Sequence, residues 1–411
     1  MLETIYVVDY MFITEIIFWV LAAVVVYTYI GYGLLLYLMV KIKRMGKNKT
    51  RTQISEDYEP EVTLFIAAYN EKDFVEEKMK NCLSLDYPAD KLHILWITDG
   101  SDDGTPEMLR RYREVEVHHR DERSGKIGAM NRGMNYVTTP LVIFTDANTM
   151  ISRDSIKRIV RLFNDPVVGC VSGEKRIFDR EKDNAAGAGE GLYWKYESAL
   201  KKWDAELNTV AGAAGELFAI RTHLFEQMEY DTLLDDFMIS LRIAQKGYTI
   251  AYDPDAFAIE APSASVKDEM KRKIRIAAGG IQSVVRMASL LNIFQYGMLS
   301  FQYISHRGLR WTAAPLSLLL LIPLNILLVV MESGFGIYTV ILGIQAILYA
   351  AALLGWYLEN KSIRSKMLFV PFYFFMMNLA IFLGFARYLK GSQSVNWDRV
   401  KRDTGIPVKE Y

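Results

Sequence analysis

Polar side chains that could bind a metal ion close an apolar stretch near the middle of the chain. In VIFTDANTM, residues 142–150, apolar residues lead directly into Asp146, Ala147 and Asn148. A short apolar run with a polar end is typical of a buried strand. A carboxylate and an amide oxygen are ligands that suit Mg²⁺ or Mn²⁺ beside a diphosphate. We therefore predict a cation and diphosphate site here, although a lone strand-end aspartate more often forms a turn.

Two other polar clusters follow apolar runs earlier in the chain. They are Tyr69-Asn70-Glu71 and Asp99-Gly100-Ser101, and segments with helical spacing separate the runs. Strands that alternate with helices predict an α/β fold with a mostly parallel, doubly wound sheet. Ligands of such sheets bind at the carboxyl ends of the strands, where all three clusters are expected.

A lysine that could bind phosphate lies between the second and third clusters. Ser124-Gly125-Lys126 combines a flexible turn with an ammonium group, although a lone lysine is more often a solvated surface residue. The chain has neither a Gly-x-x-x-x-Gly-Lys-Ser/Thr loop nor a Gly-x-Gly-x-x-Gly fingerprint. A P-loop ATPase and a dinucleotide-dependent enzyme are therefore not favoured.

The composition narrows the class of protein. A chain of 411 residues is long for one core, so at least two structural units are expected. Lysine plus arginine and aspartate plus glutamate both number 48, so no basic excess indicates a nucleic-acid partner. Cys82 and Cys170 lie in unrelated contexts, which favours buried thiols over a disulfide framework.

Four apolar stretches are long enough to cross a membrane. Residues 13–40 exceed the ~20 residues that span a bilayer and show no cleavage-site pattern, which predicts a retained anchor. Stretches of similar length occupy residues 311–330, 335–358 and 367–389. The protein is therefore expected to be a multi-pass protein of the cell membrane that carries a globular domain.

Basic residues beside these stretches predict the orientation. KIKRMGKNKTR, residues 41–51, follows the first stretch and places the globular domain in the cytoplasm under the positive-inside rule. Four full spans would leave the C-terminus outside, yet basic residues cluster there: Arg387, Lys390, Arg399, Lys401 and Arg402. Either the topology departs from the rule, or one stretch does not fully cross. The last stretch is the candidate for a bent or re-entrant segment, because it contains Pro371, Asn378 and Gly384.

These patterns divide the chain into five parts. Residues 1–43 are expected to form an N-terminal transmembrane anchor, and residues 44–286 a cytoplasmic domain. Residues 287–310 are predicted to be an amphipathic interface region, and residues 311–390 hold three hydrophobic segments. Residues 391–411 form a polar tail.

The motifs resemble those of the family-2 inverting glycosyltransferases with the GT-A fold. The resemblance is to the membrane-embedded branch that includes cellulose, hyaluronan and poly-N-acetylglucosamine synthases, and it covers residues 61–286. AAYNE and ITDGSDDGT look like the family's nucleotide-binding strand ends, GKIGAMNRG like its lysine-to-asparagine helix, and TDAN stands at its Asp-x-Asp. The resemblance implies nucleotide contacts from Ala68, Tyr69, Glu71, Asp99, Lys126, Asn131 and Asp146, and metal contacts from Asp146 and Asn148.

Two downstream motifs extend the resemblance to the acceptor. LLDDFMISLRIAQKGY matches the acidic pair at the start of the acceptor-side helix, which makes Asp236 the candidate general base and Asp235 its neighbour. On its own, the pair could simply be an acidic helix N-terminus. In RKIRI, Arg272 and Arg275 are spaced to hold a departing diphosphate from one helical face, unless they contact lipid headgroups.

Small and aromatic residues could form the acceptor path. GAAGELFAIR, residues 212–221, matches a small-residue loop that an acceptor sugar approaches, with Gly215 and Glu216 as the positions of interest. A second set could line a sugar path, although core packing is the more common role of such residues. It consists of Tyr193, Trp194, Tyr196 and Trp203.

Two departures from the family pattern bear on the product. Asn148 replaces the second metal-motif aspartate, which predicts weaker metal binding. Ile276 stands where the polymer synthases have a tryptophan that forms the acceptor-terminus site, and three C-terminal stretches are fewer than their channels have. Transfer of a single sugar to a lipid-linked or short acceptor therefore competes with processive polymerisation.

The predicted function is a membrane-bound, inverting, metal-dependent hexosyl- or N-acetylhexosaminyltransferase. It would move a sugar from a nucleotide diphosphate sugar, with UDP the expected nucleotide, to a hydroxyl of a membrane-associated glycan or lipid. A haloacid-dehalogenase-type phosphatase is disfavoured because Asn148 would disable its acid/base step. A non-catalytic transporter or scaffold with a degenerate nucleotide-sugar-binding domain is the remaining alternative, against which Asp236 argues because a binding module needs no base.

Overall fold

The computed structural model describes residues 2–46, 58–178, 185–261, 265–332, 334–361 and 366–391. Its strands are β1 (Val62–Ala68), β2 (Leu92–Asp99), β3 (Val115–Arg120), β4 (Leu141–Asp146), β5 (Thr149–Ile151), β6 (Val168–Ile177), β7 (Leu217–Arg221) and β8 (Thr249–Glu260). The first helices are α1 (Leu2–Val26), α2 (Tyr32–Gly46), α3 (Lys72–Leu83), α4 (Thr105–Leu109), α5 (Gly125–Gly133), α6 (Ser155–Leu162), α7 (Ala185–Leu207) and α8 (Asp235–Gln245). They are followed by α9 (Val266–Arg286), α10 (Ile293–Tyr296), α11 (Met298–Tyr303), α12 (Leu309–Trp311), α13 (Ala313–Met331), α14 (Ile337–Asn360) and α15 (Lys366–Leu389).

The strands form one eight-stranded sheet in the order β3-β2-β1-β4-β7-β6-β8-β5. β3, β2, β1 and β4 are parallel, β7 runs antiparallel to β4 and β6, and β6 and β8 are again parallel. The short β5 pairs antiparallel with β8. The predicted mostly parallel α/β sheet is confirmed, and the antiparallel β7 and β5 are the differences.

Helices cover both faces of the sheet, because its strands are apolar on both sides. All seven residues of β1 are buried, as expected for a strand in a parallel sheet covered on two faces. Phe65 belongs to a core with side chains of α5 and α8, whereas its neighbours Leu64 and Ile66 pack with α3 and α6. Successive side chains thus serve opposite layers.

Four helical stretches of the described chain are long and apolar enough to cross a membrane. They are Tyr10–Gly46, Ala313–Met331, Ile337–Glu359 and Met367–Leu389. The first includes a π-helical turn, Tyr27–Gly31, between α1 and α2. The predicted apolar stretches are therefore helices, while their direction in the membrane stays a prediction.

The last of these helices, α15, connects the membrane-length helices to the globular domain. It is one α-helix, Lys366–Leu389, with Pro371 inside it, and the predicted re-entrant course in the membrane stays a prediction. Gly384 lies where α15 contacts α9. A Cβ at this position would lie 2.7 Å from Ala277 and 2.8 Å from the backbone N of Ala278, so glycine allows α15 to pack closely on α9.

The predicted interface region, residues 287–310, consists of several short helical segments rather than one helix. The 3₁₀ turn Ala288–Leu291, α10, α11, the π-helical turn Ile304–Gly308 and the start of α12 follow one another. Phe294 is 98% exposed, whereas Tyr303 and His306 are fully buried. The segment therefore carries both surface and core positions. The basic tail residues Arg399, Lys401 and Arg402 lie outside the described residues.

Candidate active site

β1, β2 and β4 end side by side, and the three polar clusters lie at these ends. In the parallel ladders, Ala68 is opposite Thr98 and Ala67 is opposite Asp146. Ala68 itself is buried and can offer only its backbone to a ligand at this edge. The structure thus brings the clusters together as predicted from the shared direction of the strands.

Hydrogen bonds tie the loops after β1 and β2 to each other. The Asn70 side-chain amide donates to the Asp102 carboxylate (2.8 Å), and the Asn70 side-chain oxygen accepts from the Asp102 backbone N–H (3.0 Å). Glu71 is buried, and its backbone N–H donates to the Thr105 hydroxyl (3.1 Å). These bonds order the rim of the candidate nucleotide site before any ligand binds.

Asp99 faces the loop that leads into α5. Its carboxylate accepts hydrogen bonds from the backbone N–H groups of Ser124 (2.8 Å) and Gly125 (2.7 Å). Burial raises the pKa of Asp99, and these two N–H groups oppose that rise. At the same rim, the Arg123 guanidinium lies 3.6 Å from the centroid of the Tyr69 ring, a stacking arrangement that can also hold a planar base.

Lys126, at the start of α5, connects the strand edge to α8. Its Nζ lies 3.0 Å from Asp146 Oδ1 and 3.1 Å from Asp235 Oδ2. Burial acts to lower the pKa of Lys126, but the two carboxylates outweigh it and raise the pKa above its ordinary value. Lys126 is therefore a fixed cation at the point where a diphosphate would meet the metal motif.

Asp236 lies in the first turn of α8 and is half-buried because it faces a cavity. Burial, together with the negative charge of Asp235, raises its pKa to about 7, and Lys126 opposes the rise. A carboxylate with such a pKa can accept a proton near neutral pH.

The loop before β7 approaches Asp236 closely. A Cβ on Gly215 would lie 3.1 Å from Asp236 Oδ2. The loop is held by hydrogen bonds from the Ala213 N–H to the Ser240 hydroxyl (3.0 Å) and from the Ala214 N–H to the Ser172 hydroxyl (3.1 Å). Glycine leaves the room beside the carboxylate that an acceptor hydroxyl needs.

Glu216, next in this loop, forms an ion cluster that the sequence did not suggest. It pairs with Lys175 of β6, which also pairs with Glu260 at the end of β8. Burial acts to raise the pKa of Glu216, but Lys175 outweighs it and lowers the pKa well below the usual range. Glu216 is therefore held ionised, which favours an acceptor-positioning role over proton transfer.

Arg272 and Arg275 project from one face of α9 into the same cavity, as predicted. Arg272 pairs with Glu269 one turn earlier (3.0 Å). Burial lowers the pKa of Arg275, and the nearby Asp235 opposes this. Arg275 thus interacts with the carboxylates of the metal motif and of α8, whereas the carboxylates near Arg272 are Glu269 and Glu216.

The cavity that these side chains share has a volume of about 530 Å³. The predicted residues on its wall are Lys126, Asp146, Gly215, Glu216, Asp235, Asp236, Arg272 and Arg275. Ile276, at the position of the family's tryptophan, also lines it. The other predicted residues, Ala68, Tyr69, Glu71, Asp99, Asn131 and Asn148, lie outside this wall.

Asn131 departs from its predicted role as a nucleotide contact. Its amide donates to the carbonyl of Met228 (2.8 Å) and its side-chain oxygen accepts from the Met228 N–H (2.9 Å). The amide nitrogen and the amide oxygen of Asn131 thus both hydrogen-bond to the Met228 backbone, and the residue is buried. In this structure Asn131 fastens α5 to the segment before α8.

The oxygen donors near the end of β4 fit a hard divalent cation in part. Asp146 is partly exposed at the strand end, and Asn148 is half-buried in the same turn. Among the residues that the structure describes, no group of three or more His, Cys, Asp and Glu could hold a metal alone. Asp146 and Asn148 therefore suit an ion such as Mg²⁺, which takes its other ligands from diphosphate and water.

A buried lysine donates hydrogen bonds to the residues on either side of this turn, and the sequence analysis did not identify it. Lys78 of α3 is fully buried, and its Nζ donates to the Thr149 carbonyl (2.6 Å) and the Thr145 hydroxyl (3.2 Å). Burial lowers its pKa to about 8. Lys78 thus connects the residues on either side of Asp146-Ala147-Asn148.

The aromatic residues proposed for a sugar path divide between the cavity and the core. Trp194 and Tyr196 line the cavity. The Trp203 ring instead packs against the Tyr37 ring, with 5.3 Å between the ring centroids. The side chain of Tyr193 lies outside the described residues.

Comparison with known proteins connects this site to a family. Residues 63–228 match the model of Glycosyl transferase family 2, so the match includes Asp99 and Asp146 but ends before Asp236. Poly-beta-1,6-N-acetyl-D-glucosamine synthase of Staphylococcus aureus strain MSSA476 is 28% identical over 268 residues, 62% of each chain. The Staphylococcus epidermidis synthase is 25% identical over 263 residues. The chain thus spans 62% of the length of these relatives.

A solved structure extends the likeness to the fold. The mannosyltransferase PcManGT from Pyrobaculum calidifontis, solved in complex with GDP-Man and Mn²⁺, has a TM-score of 0.68 at 23% identity. The alignment covers 92% of this chain and 100% of that chain, so it extends well beyond the residues matched by the family model. With the sheet, the strand-end motifs and these matches, the chain contains a glycosyl transferase family 2 domain of GT-A fold, homologous to poly-beta-1,6-N-acetyl-D-glucosamine synthase.

Proposed function

We propose that the protein is a membrane-bound inverting glycosyltransferase whose donor is a nucleotide diphosphate sugar. The acceptor would be a hydroxyl of a membrane-associated glycan or lipid. The observation that carries this proposal is Asp236, a cavity-facing carboxyl with a pKa raised to about 7, beside the Lys126–Asp146 pair at 3.0 Å. A site that only bound nucleotide sugars would not need a base at this place.

The donor would lie along the strand ends. Asp99, Tyr69 and Glu71 surround the place for the base and ribose, and Lys126 stands where the diphosphate would lie. UDP is the expected nucleotide, because ITDGSDDGT, which contains Asp99, resembles the family's uridine-contacting strand end. A divalent cation held by Asp146 and Asn148 would neutralise diphosphate charge when bound.

The transfer step assigns a separate task to each side chain. Asp236 accepts the proton of the acceptor hydroxyl while the hydroxyl oxygen attacks the anomeric carbon opposite the diphosphate, which inverts the configuration. Arg272 and Arg275 stabilise the negative charge that develops on the departing diphosphate. Glu216 and the space beside Gly215 position the acceptor.

Two features favour a short or single transfer over a long polymer. Ile276 lacks the ring on which a chain terminus would stack, and three C-terminal helices of membrane length follow the domain. The basic segment after the first apolar stretch supports a cytoplasmic location of the site.

Release of nucleotide diphosphate by the detergent-purified full chain tests the proposal. The donors would be UDP- and GDP-linked hexoses and N-acetylhexosamines, with Mg²⁺ or Mn²⁺. We expect release from one donor, loss of release with chelator, and loss of about 10²- to 10⁴-fold in kcat for Asp236→Asn.

The matched control is Asp255→Asn, an exposed aspartate of β8 outside the cavity, which should keep full release. Wild-type turnover by folded Asp236→Asn would refute the assignment of the base. Donor binding by calorimetry without release from any donor would favour the non-catalytic alternative.

A further inference from the structure

A buried lysine of β6 lies at the cavity wall between two carboxylates from neighbouring strands. The Lys175 ammonium group pairs with Glu216, in the loop before β7, and with Glu260, at the end of β8. All three residues line the cavity, and the Lys175 side chain is only 4% exposed. A charge that is so deeply buried has to be paired. Because β6 is hydrogen-bonded to both β7 and β8, the sheet brings these partners together.

The preceding residue of β6, Glu174, is also buried and charged, and it has partners on other elements. Its carboxylate accepts hydrogen bonds from the hydroxyls of Ser198 on α7 and Tyr252 on β8. The Nζ of Lys201, also on α7, lies 3.6 Å from it. The two adjacent charges of β6 therefore belong to different clusters, and Lys175 is the one that pairs with Glu216.

Glu216 connects this cluster to both ends of the transfer site. Its backbone carbonyl accepts a hydrogen bond from the hydroxyl of Thr145 (3.0 Å), the residue directly before Asp146. The residue before Glu216 is Gly215, where a Cβ would lie 3.1 Å from Asp236 Oδ2. A displacement of Glu216 would therefore reach both the metal motif and the proposed base.

Lys175 is the main cation that keeps the Glu216 carboxylate charged. Burial acts to raise the pKa of Glu216, whereas Lys175 and, to a smaller extent, Arg272 lower it. The pairing of Glu216 with Lys175 is direct, whereas Arg272 pairs with Glu269 on its own helix (3.0 Å). Loss of the lysine would therefore leave a buried carboxylate without its closest counterion.

From these contacts we infer that Lys175 is a positioning residue for the proposed glycosyl transfer. It holds the Glu216 carboxylate, and with it the loop 212–216, at the place where the acceptor hydroxyl meets Asp236. Lys175 needs no contact with the reacting atoms, because it acts through Glu216, while Glu260 holds the ammonium group from a second strand. This inference rests on the proposed function and adds a residue to its acceptor site.

The test is a double-mutant cycle on the detergent-purified full chain. It measures nucleotide diphosphate release from the donor that the release experiment identifies, with water as the acceptor. Lys175→Met removes the ammonium group, and Glu216→Gln removes the carboxylate charge. Each should lower kcat by roughly tenfold, the size of one charged hydrogen bond, with the donor KM unchanged. Because Lys175 acts through Glu216, the double variant should lose no more than the more impaired single variant.

Two further variants separate positioning from a general loss of stability. Arg161→Gln removes an ion pair with Asp253, which also lies on β8 but outside the cavity, and should keep full release. Lys175→Arg keeps the positive charge and should restore part of the kcat that Lys175→Met loses. If Lys175→Met does not fold, the cycle is run with Lys175→Arg, whose loss of kcat should disappear when Glu216→Gln is also present.

The outcomes distinguish this inference from the function on which it rests. Losses that add in the double variant, wild-type kcat in folded Lys175→Met, a raised donor KM or an equal loss in Arg161→Gln would overturn the positioning role while the glycosyltransferase stands. Absence of Asp236-dependent nucleotide release from every donor would overturn the proposed function and the positioning role with it.

Discussion

Two buried charged groups of this protein differ in how their charges are balanced. Around Lys126, the carboxylates Asp146, Asp235 and Asp236 crowd together, and the pKa of Asp236 rises to about 7 through burial and Asp235. Around Glu197, burial also acts to raise the pKa, but Arg307, His306 and Arg310 outweigh it and lower the pKa well below the usual range. Asp236 shares the cation Lys126 with other carboxylates and can exchange a proton near neutral pH. Glu197 is surrounded by cations, so it stays ionised and holds its neighbours in place.

The largest expected effect is on stability and comes from Glu197, whose negative charge is balanced by its neighbours. Glu197→Gln leaves two arginines and a histidine without their shared carboxylate, which should lower the free energy of unfolding by about 3–5 kcal/mol. Denaturant unfolding in detergent measures this loss. The pH at half-maximal activity of the folded fraction should not move, and a shift of that midpoint would contradict the division of roles between the two groups.

Lys78 is a third buried charged residue. It extends the comparison because its hydrogen-bond partners are uncharged. Lys78→Met removes the donor from the Thr149 carbonyl and the Thr145 hydroxyl, which should lower the free energy of unfolding by about 1–3 kcal/mol. Lys80→Met, on the exposed side of the same helix, should change it by less than about 0.5 kcal/mol. Equal losses in both variants would show that the contacts of Lys78 with Thr145 and Thr149 add nothing to the free energy of unfolding.

Gly215→Ala tests the space around Asp236. The added Cβ would lie 3.1 Å from Asp236 Oδ2, so the carboxylate must shift by a few tenths of an ångström and kcat should fall by about tenfold. Gly343→Ala on α14, where a Cβ meets nothing within 4 Å, is the control and should keep full activity. Steady-state kinetics of both variants with the same donor decides the question.

The smallest effect is a displacement of the pH profile. Asp236 acts as a base only when deprotonated, so kcat/KM should rise as the pH increases through about 7. Asp235→Asn removes the neighbouring negative charge that helps to raise the pKa of Asp236, and should move this rise to lower pH. A pH–rate profile with an unchanged midpoint would show that Asp235 does not set the pKa of the base.

The site was predictable from the sequence where chain direction alone decides the outcome. Parallel strands put their carboxyl ends on one edge, so Tyr69, Asp99 and Asp146 had to be neighbours once their strands were recognised. Arg272 and Arg275 share a helical face because they are three residues apart. Asn131 was assigned by its motif, and its amide is instead used by the backbone of Met228, which no local pattern reveals.

The sequence by itself determined the alternating α/β pattern, the four apolar stretches of membrane length and the polar residues at the strand ends, because these depend on periodicity and residue type. Only the tertiary structure decided the reversal of β7, the Lys175–Glu216–Glu260 cluster and the pairing of Glu197 with Arg307 and Arg310. These partners are far apart in the chain and carry no shared motif. Their pairing follows from how the sheet, α7, α9 and α15 pack around one cavity, and that packing also sets the pKa of Asp236.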